Sequence, residues 1–244
     1  MIAFFGLLLA WFAVFGGHLL EGGQPGSLSN FPAALIVIGG TLAAGMIQAD
    51  FKTWKAAWRL FPNIFWKPAH SADICIGKLV RWCQMARRSG PLSLDPESSK
   101  EPDNYLRLGL QLIVDGAEKD KIHKSLSVTT ESRENEWLRA ADLFESLGGY
   151  APTMGIIGAV LGLIQVMTQV DDVQLIGSGI ATAFVATIYG VGFANLFLLP
   201  VSGRLRNEAM ARSQFEEMVL DGFLAIVEGE NPRVMERRLR EYRL

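Results

Sequence analysis

The chain has 244 residues, is 50% hydrophobic and 20% charged, and carries a net charge of −2 with a mean hydropathy of +0.23. A chain that is both so apolar and so charged must segregate the two along its length, which excludes an ordinary soluble domain. Acids and bases are mixed in both of its polar stretches, which excludes the one-sided basic face of a nucleic-acid binder.

All 23 Lys and Arg residues fall within 52–139 and 204–243. Lys and Arg each cost roughly 2.5–3.5 kcal/mol at the centre of a bilayer, so their absence marks membrane segments and their position marks the cytoplasmic side. A span needs about 20 helical residues. The first apolar segment, Ile2–Leu20, has no basic residue before it and another apolar segment soon after it, so it reads as a retained span rather than a signal peptide. A Gly/Pro/Ser turn over 21–30 leads to a second span at 31–49. Pro32 sits in the first turn of that span, where its missing N–H is harmless.

The third span is predicted at 151–170 and the fourth at 176–201, with Asp171-Asp172 in the short connection. Connections this short make antiparallel neighbours, hence two hairpins. Both outer loops lack Lys and Arg, so the two termini and the large inner region face the cytoplasm. The expected fold class is an all-α integral membrane protein of four transmembrane helices with a helical cytoplasmic domain. Its parts are a first hairpin (1–51), a cytoplasmic domain (52–149), a second hairpin (150–202) and a cytoplasmic tail (203–244).

Within the inner region, 73–88 reads as a helix with Ile74, Leu79, Cys83 and Ala86 on one stripe. Ser89-Gly90-Pro91 ends it, and the Pro-, Ser- and charge-rich stretch 92–103 reads as a mobile loop. A short helix over 104–115 is closed by Gly116. A long helix over 119–147 runs toward the third span with a break at Gly148-Gly149. The stretch 204–229 reads as a cytoplasmic continuation of the fourth span, packed on 119–147, and 231–244 as a short charged helix.

No P-loop, GxGxxG, GxSxG or HExxH motif is present, so no enzyme is expected. Cys75 and Cys83 would stand about 12 Å apart on one helix in a reducing compartment, which argues against a disulfide. His18, His70 and His123 are scattered, and no metal site or cofactor is expected. The third and fourth spans carry small residues at helical spacing, Gly155, Gly158 and Gly162 on one and Ala186 and Gly190 on the other. Such residues let helices approach closely in lipid, and plain packing would account for them. Neither span contains Asp, Glu, Lys or Arg. Ion relays in membranes rely on ionisable groups, so an ion path here needs a carboxylate from a partner. Thr168, Thr182 and Thr187 could each be satisfied by a carbonyl of their own helix.

Several motifs together carry a resemblance. They are Ala151-Pro-Thr-Met-Gly-Ile-Ile-Gly-Ala-Val-Leu-Gly162, Ala186-Thr-Ile-Tyr-Gly190, Asn195-Leu-Phe-Leu-Leu-Pro200, Gly39-Gly-Thr41 and Leu110-Gln-Leu-Ile-Val-Asp-Gly116. With the two-hairpin order they resemble the MotA family, including its MotC-like members, within the wider MotA/TolQ/ExbB superfamily.

That resemblance implies a flagellar stator ring subunit of the bacterial inner membrane. It implies a homopentamer around a MotB-type partner with one span, a membrane aspartate and a peptidoglycan-binding domain. The ion path would involve Thr187, Ala159, Pro152 and Pro200. Ala159 stands where sodium-driven relatives carry threonine, which implies protons rather than sodium as the coupling ion. Arg87, or Arg88 in a register one residue later, together with Asp95 would face the rotor switch complex. Relatives usually carry Glu where this chain has Asp95. A TolQ/ExbB-type energiser is the alternative, although those proteins typically have three spans. A passive membrane scaffold would also explain the small-residue surfaces.

Overall fold

The computed structural model describes residues 2–24, 26–64, 72–168 and 173–242. The elements in chain order are α1 (Ile2–Leu20), α2 (Phe31–Ala34), a π turn (Leu35–Gly39), α3 (Gly40–Gln48), α4 (Phe51–Leu60) and a 3-10 turn (Phe61–Ile64). There follow α5 (Ala72–Ser89), a 3-10 turn (Pro91–Leu94), α6 (Asp95–Lys100), α7 (Asn104–Val114), α8 (Lys119–Thr168) and α9 (Val173–Phe193). A second π turn (Ala194–Leu198), α10 (Leu199–Val227) and α11 (Pro232–Leu239) complete the chain. The described residues contain no strand, and the protein is all-α.

By contact the chain divides into two compact units, Met1–Lys67 with Trp137–Arg206, and Pro68–Glu136 with Asn207–Leu244. The first unit holds the apolar helices. Phe31–Gln48 and apolar stretches inside Lys119–Thr168 and Ile176–Val227 are each long enough to cross a membrane, and the described apolar run of α1 is Leu8–Leu20.

Local chemistry sets the helix boundaries in this unit. Asn30 caps α2 by accepting from the Ala33 N–H at 3.0 Å, and Asp50 caps α4 by accepting from the Thr53 N–H at 2.9 Å. Pro200 explains the second π turn. Its ring would clash with the Leu196 carbonyl in a regular helix and it donates no N–H. The turn before it widens, and the Leu199 N–H reaches back to the Ala194 carbonyl. In the second span, the buried Thr41 hydroxyl donates to the Val37 carbonyl of the first π turn at 2.6 Å. That span packs on α9 early, through Ala33 and Val37 against Val185 and Ala186, and on α8 late, where Gly45 abuts Leu147.

The second unit has its own core, built from α5, α7, α10 and α11. Trp82 stacks on Phe223 at 6.2 Å with planes 7° apart. Gly109 lies against the Phe223 ring so closely that a Cβ there would come within 2.1 Å of it. A polar chain crosses the core. The Thr130 hydroxyl donates to Tyr105 Oη at 3.0 Å, and that hydroxyl donates to the Glu216 carbonyl at 3.2 Å. The Glu216 carboxylate is 3% exposed as a residue and pairs with Arg133 at 2.8 Å, so its charge is matched inside the core. Burial pushes the Tyr105 hydroxyl up to about 12.

Three sequence expectations need correction. The long helix does not break at Gly148-Gly149, because α8 runs unbroken from Lys119 to Thr168. Pro152 is therefore a helix-interior proline. The stretch 92–103 is not a mobile loop. Leu94 and Ser98 are buried, and the pairs Arg81–Glu97 and Lys78–Glu101, the latter at 2.8 Å, fasten α6 and the residue that follows it to α5. The inward stripe of α5 is Cys75, Ile76, Leu79, Trp82 and Cys83, while Ile74 is 66% exposed. Asp171, Asp172, His70 and the last two residues of the predicted 231–244 helix lie outside the described residues.

Candidate functional site

The spans of α8 and α9 meet along a line of small residues where backbone touches backbone. A Cβ added to Gly190 would lie 2.6 Å from the Ala151 carbonyl oxygen and 3.2 Å from Pro152 Cα. One added to Gly155 would lie 2.9 Å from the Ala186 carbonyl oxygen and 3.4 Å from Thr187 Cα. One added to Gly162 would lie 2.9 Å from the Gly179 carbonyl oxygen, and one on Gly158 would lie 2.8 Å from the Ala186 methyl. The neighbours at Gly190, Gly155 and Gly162 are main-chain atoms, which cannot move aside as a side-chain tip can. Without a hydrophobic drive between helices in lipid, this close approach supplies the packing that holds the hairpin.

The seam brings together Pro152, Gly155, Gly158, Gly162, Ala186, Thr187 and Gly190. Thr187 has its Cα on the seam and its side chain exposed, and its hydroxyl donates to the Ala183 carbonyl at 3.2 Å. That bond uses the hydroxyl proton and leaves oxygen lone pairs open on an apolar surface. Ala159 is half-buried, one turn beyond Gly155. Pro200 is exposed and lies apart, ten residues beyond Gly190. A relation links the two prolines all the same. Pro152 deprives the Gly148 carbonyl of its helical donor, and a Cβ on Gly148 would meet Leu199, the neighbour of Pro200, at 2.6 Å.

A second set of contacts, missed in the sequence, ties the second span to α9. The Asn30 side-chain amide donates to the Thr182 hydroxyl at 2.8 Å, and the Asn30 N–H donates to Tyr189 Oη at 3.3 Å. Tyr189 in turn donates to the Leu28 carbonyl. The signal for Asn30 was its capping position before Pro32, but nothing in the sequence pointed to its partners 152 and 159 residues away.

The charged surface belongs to the second unit and is described by itself. Gly90, at φ +79°, takes the left-handed conformation that ends α5. Arg87 and Arg88 are exposed in the last turn of α5, and Asp95 is exposed in the first turn of α6. The Arg87 guanidinium donates to the Glu230 carbonyl at 3.0 Å, and Glu230 pairs with Arg238 at 2.9 Å. Arg87 is thus moored to the turn between α10 and α11. Leu94, beside Asp95, is fully buried and fixes where that carboxylate emerges.

A chain with several membrane-length apolar helices, two of them closed on each other through glycine, is a polytopic membrane protein. Comparisons narrow that class. Residues 97–218 match the MotA/TolQ/ExbB proton channel family, and residues 4–90 match the motility protein A N-terminal family. Motility protein A of Bacillus subtilis strain 168 is 32% identical over 97% of this chain and 88% of its own length. Chemotaxis protein PomA of Vibrio alginolyticus is 27% identical over 96% of this chain and 92% of its own length. A solved structure of C. jejuni MotAB superposes with a TM-score of 0.93 at 29% identity, covering 98% of this chain and 94% of that one. The flagellar MotAB stator complex from Bacillus subtilis gives a TM-score of 0.90 at 32% identity, covering 99% of this chain and 96% of that one. The chain belongs to the MotA/TolQ/ExbB proton channel family, on its motility protein A branch, and is a channel-family membrane subunit rather than an enzyme.

Proposed function

We propose that this chain is the ring subunit of a flagellar stator, which with a MotB-type partner conducts protons across the inner membrane and turns the ion-motive force into torque on the rotor. The observation that carries this reading is the α8–α9 hairpin. It is packed through glycine, presents the Thr187 hydroxyl oxygen, and has no Asp, Glu, Lys, Arg or His within 151–170 or 173–203. A path along it therefore needs a titrating carboxylate from a second chain. A single-span partner with a membrane aspartate supplies that group, and its peptidoglycan-binding domain supplies the anchor against which torque is exerted.

In this reading five copies surround two copies of the partner, and both termini lie in the cytoplasm. Residues 1–51 form the first hairpin, 52–149 the cytoplasmic domain, 150–202 the ion-path hairpin and 203–244 the cytoplasmic tail. Thr187 and Ala159 line the path, and Pro152 and Pro200 shape the helices around it. Ala159 offers a methyl where a sodium path would want oxygen ligands, which favours protons. Each proton moving down the membrane potential releases about 2.3 kcal/mol per 100 mV. Loss of the aspartate charge changes its preference between water and the ring surface, and that change drives rotation. Arg87, Arg88 and Asp95 then engage the rotor switch complex through exposed charge pairs. Such pairs are individually worth about 0–1 kcal/mol, weak enough to form and release at every step. The match of residues 4–90 to the motility protein A N-terminal family favours the stator over a TolQ/ExbB-type energiser.

The test is native mass spectrometry of the complex extracted from its own membrane through a tag on this chain. A co-purifying single-span protein with a membrane aspartate and a peptidoglycan-binding domain is expected, and a Tol- or TonB-linked partner would overturn the reading. Rotation should persist when external sodium is replaced by potassium, and arrest would rule out protons.

A further inference from the structure

Neither the seam nor the Arg87 surface makes use of α4, which is separated from α3 by two residues. Its sequence, Phe51-Lys-Thr-Trp-Lys-Ala-Ala-Trp-Arg-Leu60, divides by helical phase. Ala56, Ala57 and Leu60 are buried, and Phe51, Lys52, Lys55, Trp58 and Arg59 are exposed. The exposed positions follow i, i+1, i+4, i+7 and i+8, so they form one face. Two large aromatic side chains stand on it, Phe51 at 83% and Trp58 at 63% exposure.

Contacts at both ends fix the depth of this helix. The Trp54 indole N–H donates to the Gly45 carbonyl at 3.4 Å, one turn inside the inner end of α3. Just past α4, the Phe61 ring lies 6.0 Å from Phe144 and 5.8 Å from Phe197, and Phe197 belongs to the apolar run of the fourth span. The whole of α4 is therefore held level with the inner ends of the spans, and the basic residues around it mark that side as cytoplasmic.

We infer that the exposed face of α4 binds anionic phospholipid, with Phe51 and Trp58 seated at the acyl boundary and Lys52 and Lys55 on the headgroup phosphates. Aromatic and basic side chains on one helix face at headgroup depth suit a lipid surface, where a cation is favoured by the negative leaflet and its alkyl stem lies along apolar material. Lysine is depleted at interfaces between proteins, which sets lipid ahead of a second copy as the occupant. Lipid contact here needs neither ion flux nor torque and stands apart from the stator reading.

The test uses the purified complex in nanodiscs of phosphatidylcholine alone or in an equal mixture with phosphatidylglycerol. With brominated acyl chains, the quenched part of the tryptophan emission is expected to shrink in W58F. Native mass spectrometry should show phosphatidylglycerol retained over phosphatidylcholine, with that preference falling on the order of tenfold in K52Q/K55Q and surviving in K52R/K55R at unchanged oligomer mass. An unchanged quenched fraction in W58F, or an unchanged lipid preference in K52Q/K55Q, overturns the inference. So does disulfide capture of neighbouring copies through W58C, which would put protein on the face.

Discussion

Asn30 and Thr182, 152 residues apart, are joined by a 2.8 Å hydrogen bond from amide to hydroxyl. The same Asn30 accepts from the Ala33 N–H through its side-chain oxygen. One residue thus both starts the second span and fastens it to α9. The Thr182 hydroxyl proton goes to the Ser178 carbonyl at 3.0 Å, which leaves its oxygen free to accept from Asn30.

Replacing Asn30 should therefore separate two effects. Asn30→Ala loses the cap, about 1 kcal/mol, and the interhelical bond, about 0.6 kcal/mol. Asn30→Asp keeps the cap and loses the donor, so its loss should be the smaller. Thermal unfolding of the detergent-solubilised oligomer would order them Asn30→Ala below Asn30→Asp below the parent. A double cycle with Thr182→Val should be non-additive, and strict additivity would mean the bond contributes nothing.

At the seam, Gly190→Ala puts a methyl 2.6 Å from a main-chain oxygen, whereas Gly192 has nothing within 4 Å of the same position. Overpacking of this kind costs about 1–3 kcal/mol, while Ala in place of a helical Gly gains up to about 1 kcal/mol. Gly190→Ala should lower oligomer yield and melting temperature, and Gly192→Ala should leave both level or higher. Equal behaviour of the two would show that the helices separate freely.

Thr187→Val is nearly isosteric and deletes only the hydroxyl. Assembly should be unchanged, because the bond it removes is internal to α9. Loss of one hydrogen-bonding oxygen along the path is expected to lower proton flux in vesicles roughly fivefold, corresponding to about 1 kcal/mol. Thr187→Ser should restore it. Full flux in Thr187→Val would remove this residue from the path.

On the charged surface, Arg87→Glu breaks the bond to the Glu230 carbonyl and reverses an exposed charge. Stability should change by less than about 1 kcal/mol, yet swimming should fail with the complex still assembled. Arg88→Glu tests the alternative register, since Arg88 is exposed on the same turn. Normal swimming in both variants would sink the rotor assignment.

Burial pushes the Cys75 thiol up to about 12 and raises Cys83 as well. A thiol at that value is only ~10⁻⁴ ionised at pH 8, and the thiolate is the reactive form. Maleimide should label neither cysteine in the folded chain and both after denaturation. Rapid labelling of Cys75 at pH 8 would mean the α5 core opens.

The membrane part was legible because lipid imposes a simple rule: missing Lys and Arg mark the spans, and glycine at helical spacing marks close approach. The same rule hid the continuity of α8. Gly148-Gly149 read as a breaker by its behaviour in water, yet Gly148 is packed against Leu199 and the helix passes through, with Pro152 inside it. The 92–103 stretch was misread for a different reason. Its composition is that of a loop, but two ion pairs to α5 and the burial of Leu94 and Ser98 decide its structure, and no local pattern encodes those partners. For α5 the predicted stripe met the observed one at Leu79 and Cys83, but it took Ile74 as inward and left out Cys75, Ile76 and Trp82, which are buried. Asn30 could be recognised as a cap but not as a tether, since Thr182 and Tyr189 are remote in sequence.

The π turn at Ala194–Leu198 holds one residue more than the surrounding helix requires. The fourth span therefore carries a built-in allowance in length. Removing a single residue within 194–198 together with Pro200→Ala, which lifts the ring clash that holds the turn open, would let the segment relax to regular α-helix, with Gly190 still against Ala151 and Arg206 still in reach of Asp142 and Glu145. The same deletion at 202 or 203 would turn Arg206 by about 100° and break both of its ion pairs. Natural length variation in this helix should be confined to that one window.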